Sequence, residues 1–403
     1  MPPLIQASCN TQSSCERCVT TRSGSGSCRW CPDTNTCHTR SSTRNNCKEC
    51  YSYTISNLCN IKVFSRCSRN LKQSNRGFNV TEAYNALLFS AVAYTDDPKA
   101  CINKLFPSND LRLTEIVGTI SVECAWYFKY KECFAYVAVS KTFKSIIVAF
   151  RGTSNSTQLV EEFASTFTFK VSSKIGGSIL SYFNKVNTLM YGCLKKSVED
   201  ALRKLPGYKV YIVGHSLGGA LASVASGELR YDGVITNAQM TLFTFGMPRT
   251  GNEIYAKRHD TILSKSFRVV HYNDIVSRLP LMKLGYFHHQ LEIYYRKDMK
   301  RTSSYIVCND YEDMECVNSV SASWSSIEYH KHYYGIDVGS HCDSITKKRR
   351  KRSDEDSDLR HLFRSDRCTR IKSEDIPVSN AKPPSNMTEH ILMILLMLLI
   401  KSQ

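Results

Sequence analysis

The segment from Lys209 to Leu229 constrains this chain more than any other part of it. Lys209–Val213 is a short, largely apolar run that suits a buried strand, and Ala220–Leu229 is a run of small residues that suits a closely packed helix. Only Gly214-His215-Ser216-Leu217-Gly218, a G-x-S-x-G pentapeptide, and Gly219 separate them. A strand that becomes a helix over so few residues must pass through a sharp elbow, which lifts the central serine above the end of the sheet and exposes its Oγ. Glycines are required at the flanks because a side chain there would collide with the adjoining strand or helix. The backbone N–H of Leu217 then sits at a helix N-terminus, where it can stabilise an oxyanion. Ser216 is therefore a candidate nucleophile at the rim of a sheet.

The surrounding chain has the alternation that such a sheet needs. Val80, Ala83, Tyr84, Leu87, Leu88 and Ala91 recur at helical spacing, with Thr81 as a candidate cap. Phe134–Val139, Ile146–Phe150, Met240–Phe245, Phe267–His271 and Leu291–Tyr295 read as strands, and Leu194–Leu205 as a helix. The pattern predicts an α/β fold with a mostly parallel central sheet. A nucleophilic serine needs a base, and the base needs an orienting acid; in this kind of fold the order is serine, acid, histidine. Asp274 is the best-placed acid, because it follows the strand Phe267–His271 after a tyrosine–asparagine turn and so reaches the same rim as Ser216. Asp260 lies in a polar, helix-like stretch that reads as surface, and Asp298 and Asp310 lie in charged loops. Spacing leaves the histidine open between His288/His289, at the start of a strand, and His330/His332, in a loop before Tyr333-Tyr334-Gly335.

The two ends differ in character. Ten of the 18 cysteines fall between Cys9 and Cys67, among Ser, Thr, Asn, Gly and Arg and very few aliphatic residues. Such a stretch cannot bury a core, so cross-links must hold it. Cys15/Cys18 and Cys28/Cys31 are CxxC pairs that raise zinc as an alternative, but the local composition favours disulfides and hence export. The formal charge of +17 sits mostly at the ends: +8 in residues 1–80, +4 in 341–403 and +5 between them. A nucleic-acid protein concentrates positive charge on its folded core, so this distribution argues against such a partner and fits an anionic surface or simple solubility. From about Asp343 the globular pattern stops. Lys347–Arg352 is a basic run with a candidate processing site after Arg352, and acidic Ser353–Asp358 follows, together a solvated tail. Ile391–Ile400 would make about 15 Å of helix, half of a hydrocarbon core, and with Ser379–Ala381 weakly resembles a lipid-anchor signal. The first residues show no apolar secretory signal, whereas the cysteines and the sequons at Asn79, Asn155 and Asn386 fit export. The expected organisation is a cysteine-rich module (1–67), a basic linker (68–78), an α/β domain (79–342) and a disordered charged tail (343–403).

Five segments carry a resemblance. VAFRGT (148–153), VGHSLGGALAS (213–223), FGMPRTGN (245–252), VVHYNDIVSRLP (269–280) and HKHYYG (330–335) resemble, in order and spacing, the class 3 (fungal-type) lipase family. The run CERC…CRWC…C resembles the plexin–semaphorin–integrin type of extracellular module, and this front region resembles the roundworm-type branch of the same lipase family. The resemblance implies an α/β-hydrolase fold behind a small disulfide-rich module. It also selects the histidine, since the family's H-x-x-[YW]-[FY]-G pattern lands on His330, and its acid on Asp274. The family's oxyanion donors land on Thr153 and on the Leu217 amide, and Cys342 lies where members staple the end of the domain to its start. The chemistry implied is that of a secreted serine hydrolase of acylglycerols, which works through an acyl-enzyme intermediate and needs no metal or cofactor. Its partners would be a lipid or ester substrate and a lipid–water interface or membrane surface to which it can attach. A phospholipase or a soluble-ester carboxylesterase would use the same triad, and a secreted binding protein without activity is the reading from another class. Thr157–Phe163 takes the place of the family's lid with Leu159, Val160 and Phe163 as an apolar face, but lacks the tryptophan of fungal members.

Overall fold

The computed structural model describes residues 76–106, 114–124, 132–153, 169–296, 298–309, 311–313, 316–320, 325–346 and 369–371, with short stretches of the front region (9–11, 18, 22–23, 26–31, 36–39 and 51–52). The main sheet is built from β1 (Thr114–Glu123), β2 (Glu132–Ser140), β3 (Ser145–Phe150), β4 (Lys209–His215), β5 (Met240–Phe245), β6 (Ser266–His271), β7 (Glu292–Tyr295), β8 (Ile306–Cys308) and β9 (Thr369–Ile371). Their order across the sheet is β8-β7-β6-β5-β4-β3-β2-β1-β9. β3 to β7 run parallel to one another, while β1, β2 and β8 extend the edges antiparallel. The helices around it are α1 (Val80–Val92), α2 (Pro98–Leu105), α3 (Ser181–Lys204), α4 (Leu217–Tyr231), α5 (Glu253–Ile262), α6 (Ile327–Lys331) and α7 (His341–Thr346).

The sequences of the central strands account for their place. SIIVAF, MTLFTF and SFRVVH are buried at every position, as strands covered on both faces must be. Successive residues of β3 alternate between two cores. Ile146, Val148 and Phe150 face a cluster with α3 and α4. Ile147 and Ala149 face a second cluster with α1. This is the α/β-hydrolase layering. α1 is capped by Asn79 rather than by Thr81: Asn79 is extended and its side chain accepts from the Glu82 amide. Helix α3 starts well before Leu194, because Phe183, Val186, Leu189 and Met190 give its first half a buried face that offsets its poor helix formers.

Disulfides tie the periphery down. Cys101–Cys342 joins α2 to α7 and so the two ends of the described hydrolase region, Cys124–Cys133 closes the β1–β2 hairpin, and Cys308–Cys316 closes a short loop after β8. In the front region Cys9–Cys28 and Cys18–Cys37 use one cysteine of each CxxC pair, so these are cross-links and not a zinc site. Phe78, at the end of the stretch expected as a linker, is buried against Phe243, Phe267 and Tyr305. The stretch expected as a disordered tail contributes β9, which pairs with β1 at Ser121 and Val122. The basic run, the apolar terminal segment, and the sequons at Asn155 and Asn386 lie outside the described residues.

Candidate active site

β4 ends at His215 and α4 begins at Leu217, leaving Ser216 alone at the elbow. Ser216 has φ 61° and ψ −134°, a left-handed conformation that costs a non-glycine residue on the order of 1–3 kcal/mol and persists only where its surroundings enforce it. The flanking glycines explain the enforcement. A Cβ on Gly214 would lie 2.2 Å from the Gly218 carbonyl oxygen, and one on Gly218 would lie 2.2 Å from that of Phe150. The turn is therefore pressed against the end of β3. A Cβ on Gly152 would come within 3.0 Å of Ser216 Cβ, so the Arg151–Thr153 segment that leaves β3 passes directly beside the serine. The Leu217 amide belongs to the first turn of α4, whose N–H groups have no partner within the helix.

Asp274 lies just beyond β6 at the same rim and is fully buried. Its Oδ1 accepts from the Val276 amide at 2.8 Å and the Ser277 amide at 3.4 Å, and its Oδ2 from the Tyr333 hydroxyl at 2.6 Å. His330 Nδ1 lies 3.0 and 2.9 Å from the two oxygens. Burial would push this carboxyl up, but the charge and hydrogen bond of His330 and the Tyr333 hydroxyl outweigh it and hold it below the usual range. Tyr333 is pushed well up, first by burial and then by the Asp274 charge, so it remains a donor. His330 sits in α6, which the Asp274 loop itself positions: Ser326 pairs with Asp274, and its amide donates to the Asn273 carbonyl at 3.1 Å. Ser216 Oγ and His330 Nε2 are both buried, and among the described residues neither has a hydrogen-bond partner. A hydroxyl with no partner, an imidazole nitrogen with no partner and a carboxylate behind that imidazole form the layout required for proton abstraction from a serine.

Residues 147–284 match the family model for lipase (class 3). A Caenorhabditis elegans lipase is 33% identical over 296 residues, covering 65% of this chain and 80% of that protein. The chain belongs to the class 3 lipases. A secreted mono- and diacylglycerol lipase of Fusarium solani is 34% identical over 155 residues, covering 38% of this chain and 45% of that one. The chain spans about half the length of the fungal relatives it matches. The structure of Rhizomucor miehei triacylglyceride lipase superposes with a TM-score of 0.56 at 25% identity, over 65% of this chain and 96% of that one.

Within this lipase, the sequence-derived residues fall into two groups. Thr153, Ser216, Leu217, Asp274 and His330 converge on the C-terminal rim of the parallel strands. His288 and His289 are buried and engaged elsewhere: His288 Nε2 donates to the Ser277 carbonyl and His289 Nδ1 faces Ser266 Oγ. His332 is exposed. Asp260 is not a free surface group, since its carboxylate accepts from the Gln290 amide and burial pushes it up to about 7. The segment Thr157–Phe163 lies outside the described residues. Tyr333 and Gly246 each stand in one of the five motifs, yet no local pattern marks either for the site. A Cβ on Gly246 would lie 2.4 Å from Asp274 Oδ2 and 2.8 Å from His330 Nδ1, so only glycine leaves room for the acid–histidine pair. Among the described residues one group could be considered for a metal: His259, Asp260 and His289, with ligand atoms within 4.8 Å of one another. The two rings stack at 4.0 Å with planes 11° apart. Their in-plane lone pairs run side by side instead of converging as a tetrahedral ion requires, and we assign no metal there.

Proposed function

We propose that this class 3 lipase hydrolyses carboxylic esters of acylglycerols with Ser216 as nucleophile, His330 as general base and Asp274 as its orienting acid. His330 Nε2 takes the proton as Ser216 Oγ attacks the ester carbonyl. The imidazolium so formed shares its Nδ1–H with Asp274, which stabilises the charge. The tetrahedral oxyanion is received at Thr153 and by the Leu217 amide, each donor being worth about 10²–10³ in rate. His330 then returns the proton to the leaving alkoxide, and water, activated by the same base, releases the acyl group. The observation that carries this reading is the buried Asp274–His330 pair beside a strained elbow serine. The named substrates of the relatives, mono-, di- and triacylglycerols, supply the substrate class. The disulfides support secretion, and we place the activity in residues 79–342, with the cysteine-rich module as an attachment or stability element that chemistry does not need. Work at a lipid–water interface is a consequence of the insolubility of such esters.

Ser216→Ala is expected to abolish hydrolysis of emulsified triacylglycerol and of soluble esters, and to abolish labelling by a fluorophosphonate probe. Hydrolysis at the wild-type rate by this variant would sink the proposal. A rate on phospholipid vesicles above that on triacylglycerol would reassign the substrate and leave the triad intact.

A further inference from the structure

His215, the residue before the elbow serine, is buried. Its ring stacks on that of His330, with centroids 4.5 Å apart. Its Nε2 lies 2.8 Å from the backbone carbonyl oxygen of His330, and its Nδ1 lies 2.8 Å from the Tyr94 hydroxyl. Tyr94 follows the C-cap of α1. The Tyr94 hydroxyl also lies 3.4 Å from the backbone carbonyl oxygen of His215 and packs against Gly152, just beyond the end of β3. A Cβ on Gly152 would lie 2.2 Å from the Tyr94 hydroxyl oxygen, so the tyrosine is seated on bare backbone.

The chemistry of these partners fixes every proton. A carbonyl oxygen only accepts, so His215 Nε2 must carry a hydrogen. Burial, the largest influence, together with the neighbouring His330 pushes the His215 conjugate acid down to about 3, so the ring is neutral and Nδ1 is an acceptor. The Tyr94 O–H therefore donates to Nδ1. The chain runs one way: Tyr94 O–H to His215, His215 Nε2–H to the His330 carbonyl. That last carbonyl needs a donor, because it stands in the final turn of the five-residue helix α6, where carbonyls have no intrahelical partner.

We propose that Tyr94 and His215 are positioning residues of the triad: Tyr94 locks His215 in its Nε2–H tautomer, and His215 in turn holds the backbone of His330 against the elbow. The same tyrosine packs against Gly152, on the approach to Thr153. This rests on the catalytic reading of Ser216, His330 and Asp274. Without the Tyr94 donor only the carbonyl favours that tautomer and nothing holds the Nδ1 side of the ring, so His215 can swing its Nε2–H away and let His330 drift from Ser216.

The two nitrogens of His215 can be separated by substitution. An asparagine Oδ1 occupies the place of Nδ1 and can accept from Tyr94, but cannot reach the His330 carbonyl. A glutamine Nε2 occupies the place of the imidazole Nε2 and can still donate to that carbonyl. The experiment uses the full chain and compares wild type with Tyr94→Phe, His215→Asn, His215→Gln and Ser216→Ala on a soluble short-chain ester. Rates are normalised to the fraction of serine labelled at end point by a fluorophosphonate. Tyr94→Phe and His215→Asn are expected to lose kcat by about fivefold or more with KM unchanged, while His215→Gln stays within about threefold of wild type, since a single hydrogen bond is worth about 1 kcal/mol, or about fivefold in rate. A merely structural role would penalise asparagine and glutamine alike. Equal kcat for His215→Asn and His215→Gln, or a wild-type kcat for Tyr94→Phe, overturns the proposal. Should Tyr94→Phe fail to fold, the two His215 variants decide alone. An active Ser216→Ala would instead refute the triad reading beneath it.

Discussion

Tyr333 shows how much a single side chain does at this site. Its hydroxyl donates to Asp274 Oδ2 at 2.6 Å and accepts from the His271 amide at 3.3 Å. A buried carboxylate without such donors would take up a proton and cease to orient the histidine. Tyr333→Phe removes one donor and leaves Asp274 with the Val276 and Ser277 amides and His330. We expect kcat to fall about ten- to a hundredfold, because a hydrogen bond to a charged group contributes about 1.5–3 kcal/mol. KM on a soluble ester should not change; an unaltered kcat would show that the amides suffice. The signal is present in the sequence, as the first tyrosine of HKHYYG, but nothing there says which way the hydroxyl points.

At the scale of elements, the loop after Asp274 is held by the segment that follows β8. The Arg249 guanidinium donates to the carbonyls of Arg278 and Pro280, and its backbone amide to that of Leu279. It also makes a bidentate pair with Glu312, both bonds 2.7 Å and both side chains almost fully buried. Burial alone would raise the Glu312 carboxyl, but Arg249 outweighs it and holds it down to about 2. Glu312 lies within the loop closed by Cys308–Cys316. A buried pair adds little net stability over an apolar pair, but removing one partner strands the other charge at a cost of about 3–5 kcal/mol. Arg249→Met should therefore lower the urea midpoint severely, and Arg249→Met combined with Glu312→Leu should recover part of the loss. A single variant no less stable than wild type would mean that the pair is not what holds this loop.

For the whole molecule, the unusual feature is a set of buried neutral histidines. His215 and His259 are pushed down to about 3, and His288 and His289 well below the ordinary range, chiefly by burial. Above about pH 6.5 these rings are neutral in both the folded and the unfolded chain. Below it the unfolded chain binds protons that the fold refuses, so stability falls as pH drops. Each such histidine costs about 2 kcal/mol at pH 5. Asp260, Glu228 and Glu292 are raised by burial and act in the opposite direction, which reduces the slope without reversing it. The melting temperature should fall between pH 8 and pH 5. A flat profile over that range would mean that the rings are hydrated or paired in solution.

What the sequence determines by itself is whatever contiguous residues can encode. The elbow is a strand, a turn and a helix within 209–231, and Gly214 and Gly218 are demanded by contacts that span only a few residues or the adjacent strand. Asp274 follows its strand closely enough to be placed by it. The α/β class arises in the same way, because buried parallel strands must be apolar throughout. The tertiary structure decides the rest. From spacing alone, His288/His289 and His330 compete, and the resemblance to a family, not periodicity, selects His330. Physically, the choice is made by the pairing of Ser326 with Asp274, which brings His330 across 56 residues of chain, while Ser266 and Ser277 draw the other two histidines into the interior. Tyr94 is more distant still, 121 residues from the histidine it contacts. No local pattern encodes such a bond, since it exists only once α1 has packed beneath the sheet and carried its last turn to the rim.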